Sequence, residues 1–149
     1  MTSTTAVPDT VLDELDLFTA FATDTKAEQE GTWLSVPGLG KRKFLIARVG
    51  NVSYGKLLQS LFKRHRNVIE GDDPVAAKTR SDEVLAEVYS KTVLLGWQGA
   101  INFKGTPQTY SQAVAKELLM NAEFLKRIQV VAEDFNSFLA TKEEEDAKN

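Results

Sequence analysis

The chain has 149 residues, 42% hydrophobic and 26% charged, with no cysteine and a formal net charge of −3. That is enough chain for one domain with its own core, and the balance is that of a globular protein, not a disordered one. The missing cysteines exclude disulfides, zinc ribbons, iron–sulfur clusters and thiol catalysis.

No run of about 18 apolar residues offers a membrane span. The opening MTSTTAVPDTVLDELDLF has no basic stretch ahead of an apolar run, so no signal peptide is expected. Charge is strongly segregated. Residues 31–69 hold eight Lys/Arg and no acid, residues 1–30 hold seven acids and one lysine, and the closing ATKEEEDAKN holds four acids and two lysines. A basic block between acidic ends either lies beside its own acidic segments or binds an acidic partner.

In chain order, residues 1–10 read as a mobile start. Asp9 or Thr10 is placed to cap a short helix through VLDELDLFTAF, with Leu12, Leu15, Phe18 and Phe21 on one side. TWLSV and KFLIARV follow, separated by PGLGK, and read as a β-hairpin at about 31–49. Asn51 or Ser53 caps a helix to about Glu70, stopped by Gly71, with Tyr54, Leu57, Leu58, Leu61, Phe62, Val68 and Ile69 at three–four spacing. The only histidine, His65, falls on its apolar side.

Asp73, with Pro74 behind it, caps a second helix (Thr79 or Ser81 is a later start), with an inner stripe of Val84, Leu85, Val88, Thr92 and Leu95. Gly96 is expected to end it and Trp97 to anchor the exit. GAINFKGTPQTY reads as a loop with a short extended piece near Ile101 and Phe103. Ser111 caps SQAVAKELLM. Asn121 caps a last helix in which Phe124, Ile128, Val131, Phe135 and Phe138 recur at three and four. The expected fold is therefore α+β, mainly α-helical: an N-terminal β-hairpin and about four helices in one domain over 11–139, with an acidic tail at 140–149 expected to be disordered.

Chemistry-bearing motifs are few. One histidine cannot supply a zinc triad, there is no G-x-S-x-G elbow, and GLGKRK sits between strands instead of opening a helix, so it is no phosphate loop. Asp72–Asp73 and Glu133–Asp134 read as helix-end or surface acids, not a carboxylate pair in a cleft. No catalytic residue, cofactor or metal is expected. Lys41, Arg42, Lys43, Lys56, Lys63, Arg64 and Arg66 are the candidate basic surface. Nucleic-acid binding through it is the less favoured reading, because no helix-turn-helix spacing or aromatic-basic RNA signature accompanies it.

Four stretches, taken in order, resemble the tail assembly chaperones of long-tailed phages, encoded just before the tape measure protein. These are FATDTKAEQEGTWLSV, FLIARVGNVSYGKLL, AEVYSKTVLLGWQGA and TYSQAVAKELLMNAEFLKRIQVVAEDFNSF, and together they cover roughly residues 18–139. The resemblance implies a small, mostly helical, non-enzymatic protein that keeps the tape measure protein soluble in the host cytoplasm and is absent from the mature virion. It also implies the tail tube protein, or a frameshifted longer form of the chain, as further partners, and makes a chain ending at Asn149 the short form. The alternatives are a head or tail protein retained in the virion and a nucleic-acid-binding regulator.

A chaperone of this kind needs an apolar groove with a charged rim. Tyr89, Val93, Leu94, Leu125, Val130 and Leu139 lie off the main interior stripes and are the candidate partner-binding residues. The competing reading buries them in central helices. Trp33 and Trp97 are expected to be core anchors.

Overall fold

The computed structural model describes residues 14–140. The expected mobile start at 1–10, residue Leu12 and its caps, and the acidic tail beyond Ala140 lie outside the described residues. Among those described, the elements are α1 (Leu17–Ala20), α2 (Thr25–Glu30), β1 (Thr32–Ser35), β2 (Lys43–Ile46), α3 (Val52–Ile69), α4 (Pro74–Thr92), β3 (Leu94–Trp97), β4 (Ile101–Phe103), β5 (Thr106–Gln108), α5 (Gln112–Leu119) and α6 (Ala122–Glu133). A 3-10 turn, Phe135–Phe138, closes them. The fold is α+β and mainly helical.

The helix starts follow side-chain capping. Asn51, Asp73, Ser111 and Asn121 each accept from backbone N–H groups of the first turn of α3, α4, α5 and α6, satisfying donors a helix cannot satisfy itself. The hairpin forms as expected. β1 and β2 pair antiparallel, Leu34 opposite Phe44 and Trp33 opposite Leu45.

The sheet, however, has a third strand. β3 pairs antiparallel with β2, Phe44 opposite Trp97, with an irregularity between Leu45 and Ile46. Helix α4 thus ends at Thr92, and Leu95 belongs to β3, not to the helical stripe. Gly96 is no helix stop. It lies mid-strand, where a Cβ would meet that of Leu45 at 3.4 Å and the Trp33 ring at 3.6 Å.

Alternation along the strands sets the layers. Leu34, Phe44 and Ile46 point into a core shared with Tyr89 and Val93 of the α4 end, Ala115 and Leu119 of α5, Ile128 and Val131 of α6, and Phe138. Trp33 points the other way. It is 48% exposed, so it covers the outer face of the sheet instead of anchoring the core; Trp97 is buried as expected. Helix α3 packs on α4 through a separate cluster of Leu61, Val84 and Val88, with Tyr54, Leu57, Leu58 and Ile69 around it.

Three further differences concern the ends. α2 forms where no helix is expected, because Asp24 caps it by accepting from the Lys26 and Ala27 N–H groups. α1 is only four residues long and starts behind Asp16. Leu15, Phe18 and Phe21, expected on one side of a longer helix, are exposed, Phe18 at 92%. The last helix breaks at Asp134, whose carboxylate accepts from Asn136 N–H and starts the 3-10 turn. That turn brings the two ends of the described chain together: Asp24 N–H donates to the Phe138 carbonyl at 2.8 Å, and Ala140 N–H to that of Ala22 at 3.2 Å.

Candidate partner-binding groove

The candidate partner-binding residues separate into two groups. Tyr89, Val93 and Leu94 are core side chains with almost no accessible surface. The α4 end and β3 are enclosed by the sheet, α5 and α6, so these three cannot line a groove. Tyr89 packs edge-on against Tyr54 at 5.9 Å, and burial raises its hydroxyl pKa above the ordinary 10. Leu125 and Leu139 are half-buried. Val130 alone of the six is freely exposed, at 56%.

Val130 sits beside a groove. Its main part, about 460 Å³, has an apolar floor of Leu39, Phe44, Ile101, Leu118 and Phe124, and a polar wall of Arg42, Asn102, Asn121, Glu123 and Arg127. A second part, about 260 Å³, is lined by Pro37, Glu123, Lys126, Arg127 and Val130. The two parts share Glu123 and Arg127 in their linings. The floor is assembled from the β1–β2 loop, β2, β4, the end of α5 and the start of α6. Phe124 is held edge-on against Phe44 at 6.3 Å.

Two arginines are tethered at the rim. Arg127 donates to the Pro37 carbonyl at 3.1 Å, and Arg42 donates to that of Gln98. Lys43 also meets this segment, its N–H donating to the Gln98 side-chain oxygen at 3.1 Å. Each guanidinium keeps donors for a carboxylate.

Among the described residues the basic surface is largely without ion-pair partners. Lys41, Arg42, Lys43, Lys56, Lys63, Arg64 and Arg66 have no ion-pair partner among the described residues, and neither do Lys126 and Arg127. Of the basic block at 31–69, only Arg48 is paired, with Glu28 at 2.7 Å. The idea that the block lies against the chain's own acids therefore holds for Arg48 alone among those pairs. The seven cations also fall into two places. Lys41, Arg42 and Lys43 belong to the hairpin near the groove, whereas Lys56, Lys63, Arg64 and Arg66 ride on α3, where Arg66 stacks over Phe62 at 5.7 Å. His65 is half-buried, and its Nδ1 accepts from Arg80 at 3.0 Å, since arginine can only donate.

A second apolar surface lies at the other end of α6. Leu15, Leu17, Phe18 and Phe21 are exposed, and Phe21 touches Phe135 edge-on at 5.8 Å. Asp24, Lys26, Glu30, Trp33 and Leu139 line a cleft of about 410 Å³ between α2 and the closing turn. Among the described residues no group of three or more His, Asp or Glu could hold a metal ion, and no helix is long and apolar enough to cross a membrane.

Leu39 and Leu118 were not singled out by sequence reasoning, and Ile101 only as part of a short extended piece. The one available signal is Leu39, an apolar residue between Gly38 and Gly40 in a loop otherwise built for turning.

No curated protein and no solved structure matches the chain. The model of a protein family described as YdaY prophage protein matches residues 49–149, which takes in α3 to α6 and three of the five segments of the groove floor. By that match over more than half its length, the chain is phage-derived and belongs to the YdaY prophage protein family.

Proposed function

We propose that this protein is a non-enzymatic tail assembly chaperone that binds the tape measure protein in the host cytoplasm, keeps it soluble, and leaves before the virion is complete. The observation that carries the reading is the groove. An apolar floor beneath Arg42, Lys126 and Arg127 suits an amphipathic helix that lays apolar residues into the floor and acidic residues along the rim. A partner that exposes long amphipathic helices before assembly is what such a surface would shield. Phage origin and the sequence resemblance both support this reading.

Co-purification of the two proteins tests it, with mass spectrometry of purified virions alongside. The chaperone reading expects a complex from the cytoplasm and no copies of this chain in the virion. Abundant copies in the particle would instead favour a retained head or tail protein.

A second reading rests on α3. Its Lys56, Lys63, Arg64 and Arg66, without ion-pair partners among the described residues, present positive charge away from the groove, as a phosphate-binding surface would. A salt titration of DNA binding separates the readings. A regulator shows a steep loss of affinity with salt; a chaperone shows no binding at low salt.

A further inference from the structure

We propose that the free edge of β1 is a second binding site, independent of the groove, which takes an extended basic segment of a partner protein as an added strand. The hydrogen-bond parity of the sheet identifies the groups that would bind it. The Lys43 carbonyl accepts from Gln98 N–H at 3.1 Å, and Ala47 N–H donates to the Val93 carbonyl at 2.8 Å. Odd-numbered residues of β2 thus turn their backbone groups toward β3. Phe44 and Ile46 then turn theirs toward β1, where their partners are Leu34 and Thr32. The N–H and C=O groups of Trp33 and Ser35 are left pointing out of the sheet, and no hydrogen bond reaches them from any other described segment.

The two edges of this sheet are treated differently. Along β3, the Tyr110 hydroxyl donates to the Leu94 carbonyl at 2.9 Å and the Trp97 indole donates to the Gln108 carbonyl at 3.3 Å, so the chain ahead of α5 covers that edge. β1, with the sequence TWLS, carries no charge and no proline, the usual guards of an open edge. Both Trp33 and Ser35 are exposed. Gly31, Thr32 and Trp33 also form one side of the 410 Å³ cleft whose other sides are α2 and the closing turn. An incoming strand would bond to the backbone of Trp33 and Ser35 and lay an apolar side chain against the Trp33 ring.

Charge selects the occupant. Residues 14–30 hold five acids and one lysine. Asp24 and Glu30 line the cleft with Lys26, and the Lys26–Glu30 pair is loose at 3.9 Å and mostly solvated. Lysine or arginine at alternate positions of the added strand complements this rim. The chain's own ends have the wrong sign: residues 1–13 hold two acids and no lysine or arginine, and residues 141–149 hold four acids and two lysines.

Amide hydrogen exchange of the full chain by NMR tests this, with and without a peptide of about eight alternating lysines and valines. The Trp33 and Ser35 amides are expected to exchange freely in the chain alone and to slow about tenfold or more at saturating peptide. Thr32 and Leu34, already bonded to β2, should change little, and a peptide with glutamate for lysine should not bind. Ser35→Pro deletes an outward donor and leaves the β1–β2 ladder whole, since proline is tolerated where the N–H faces solvent; it should weaken binding about tenfold. Glu30→Lys, at an exposed helix end, should weaken the lysine peptide and admit the glutamate one. Protection of Trp33 and Ser35 before any peptide is added would mean that the chain itself or a second copy covers the edge, and would overturn the proposal. So would no slowing with the lysine peptide, equal binding of both peptides, or a folded Ser35→Pro that binds like the wild type.

Discussion

Asn51 donates through Nδ2 to the backbone carbonyl of Thr92 at 3.0 Å, tying the residue before α3 to the last residue of α4. The same amide donates to the Arg48 carbonyl at 2.7 Å, while Oδ1 accepts from Tyr54 N–H at 2.9 Å. One buried side chain thus caps a helix and joins the α3–α4 pair to the chain leaving β2. Replacing Asn51 with alanine removes the cap, worth about 1 kcal/mol, and strands two carbonyls at about 1 kcal/mol each. We expect Asn51→Ala to lose about 2–3 kcal/mol in chemical denaturation. Asn51→Asp keeps the cap but points a carboxylate at two carbonyl oxygens, so it is expected to be no better than alanine.

Gly31 joins α2 to β1 with φ of 90° and ψ of 160°, a backbone region essentially confined to glycine. A Cβ there would also sit 3.1 Å from the Leu45 side chain. Gly31→Ala should destabilise the protein by about 2 kcal/mol or more, read as a lower denaturation midpoint with unchanged slope. An unchanged midpoint would show that the α2–β1 junction relaxes freely.

Acid should loosen the contact between α4 and α5. Burial pushes the Glu87 carboxyl up, but the hydrogen bond from Lys116 at 3.3 Å and the charges of Lys91 and Lys116 outweigh it and hold it below the ordinary 4.5. A folded pKa below the unfolded one means stability that is present above pH 4.5 and lost as pH falls through the folded value. Glu87→Gln should therefore lose under about 1 kcal/mol at neutral pH and show a shallower acid decline than the wild type. Denaturation curves from neutral to acid pH measure both slopes.

At the groove, Val130→Asp adds a negative charge at an exposed position in the side pocket and is expected to leave stability within about 0.5 kcal/mol. It should weaken capture of an acidic amphipathic helix about tenfold or more, measured by titration against tape measure fragments. Val130→Lys should weaken it less, since only the apolar contact is lost.

Most helix starts were legible because capping is local: Asn51, Asp73, Ser111 and Asn121 stand beside the runs they begin. The third strand was not. Leu95 continues the apolar spacing of α4, and four residues are too few for a two-residue period to declare itself. Pairing with β2 decides the matter, and that partner lies about fifty residues away in the chain. α2 was missed because TKAEQE has no apolar stripe; its Asp24 cap was the only sign. Trp33 was misplaced because strand alternation, not residue type, chooses which face a side chain takes. The groove was legible only at its edge. Val130 stood out as apolar off the main stripe, but the floor joins Leu39, Ile101, Leu118 and Phe124 from separate segments, and no periodicity links them.

We propose that the groove shields the tape measure protein. The most direct test is the soluble fraction of that protein when co-expressed with no chaperone, with the wild type, or with Val130→Asp. Soluble tape measure protein is expected with the wild type, and a loss of most of that gain with the variant despite equal expression. A tape measure protein equally insoluble with and without this chain would contradict it.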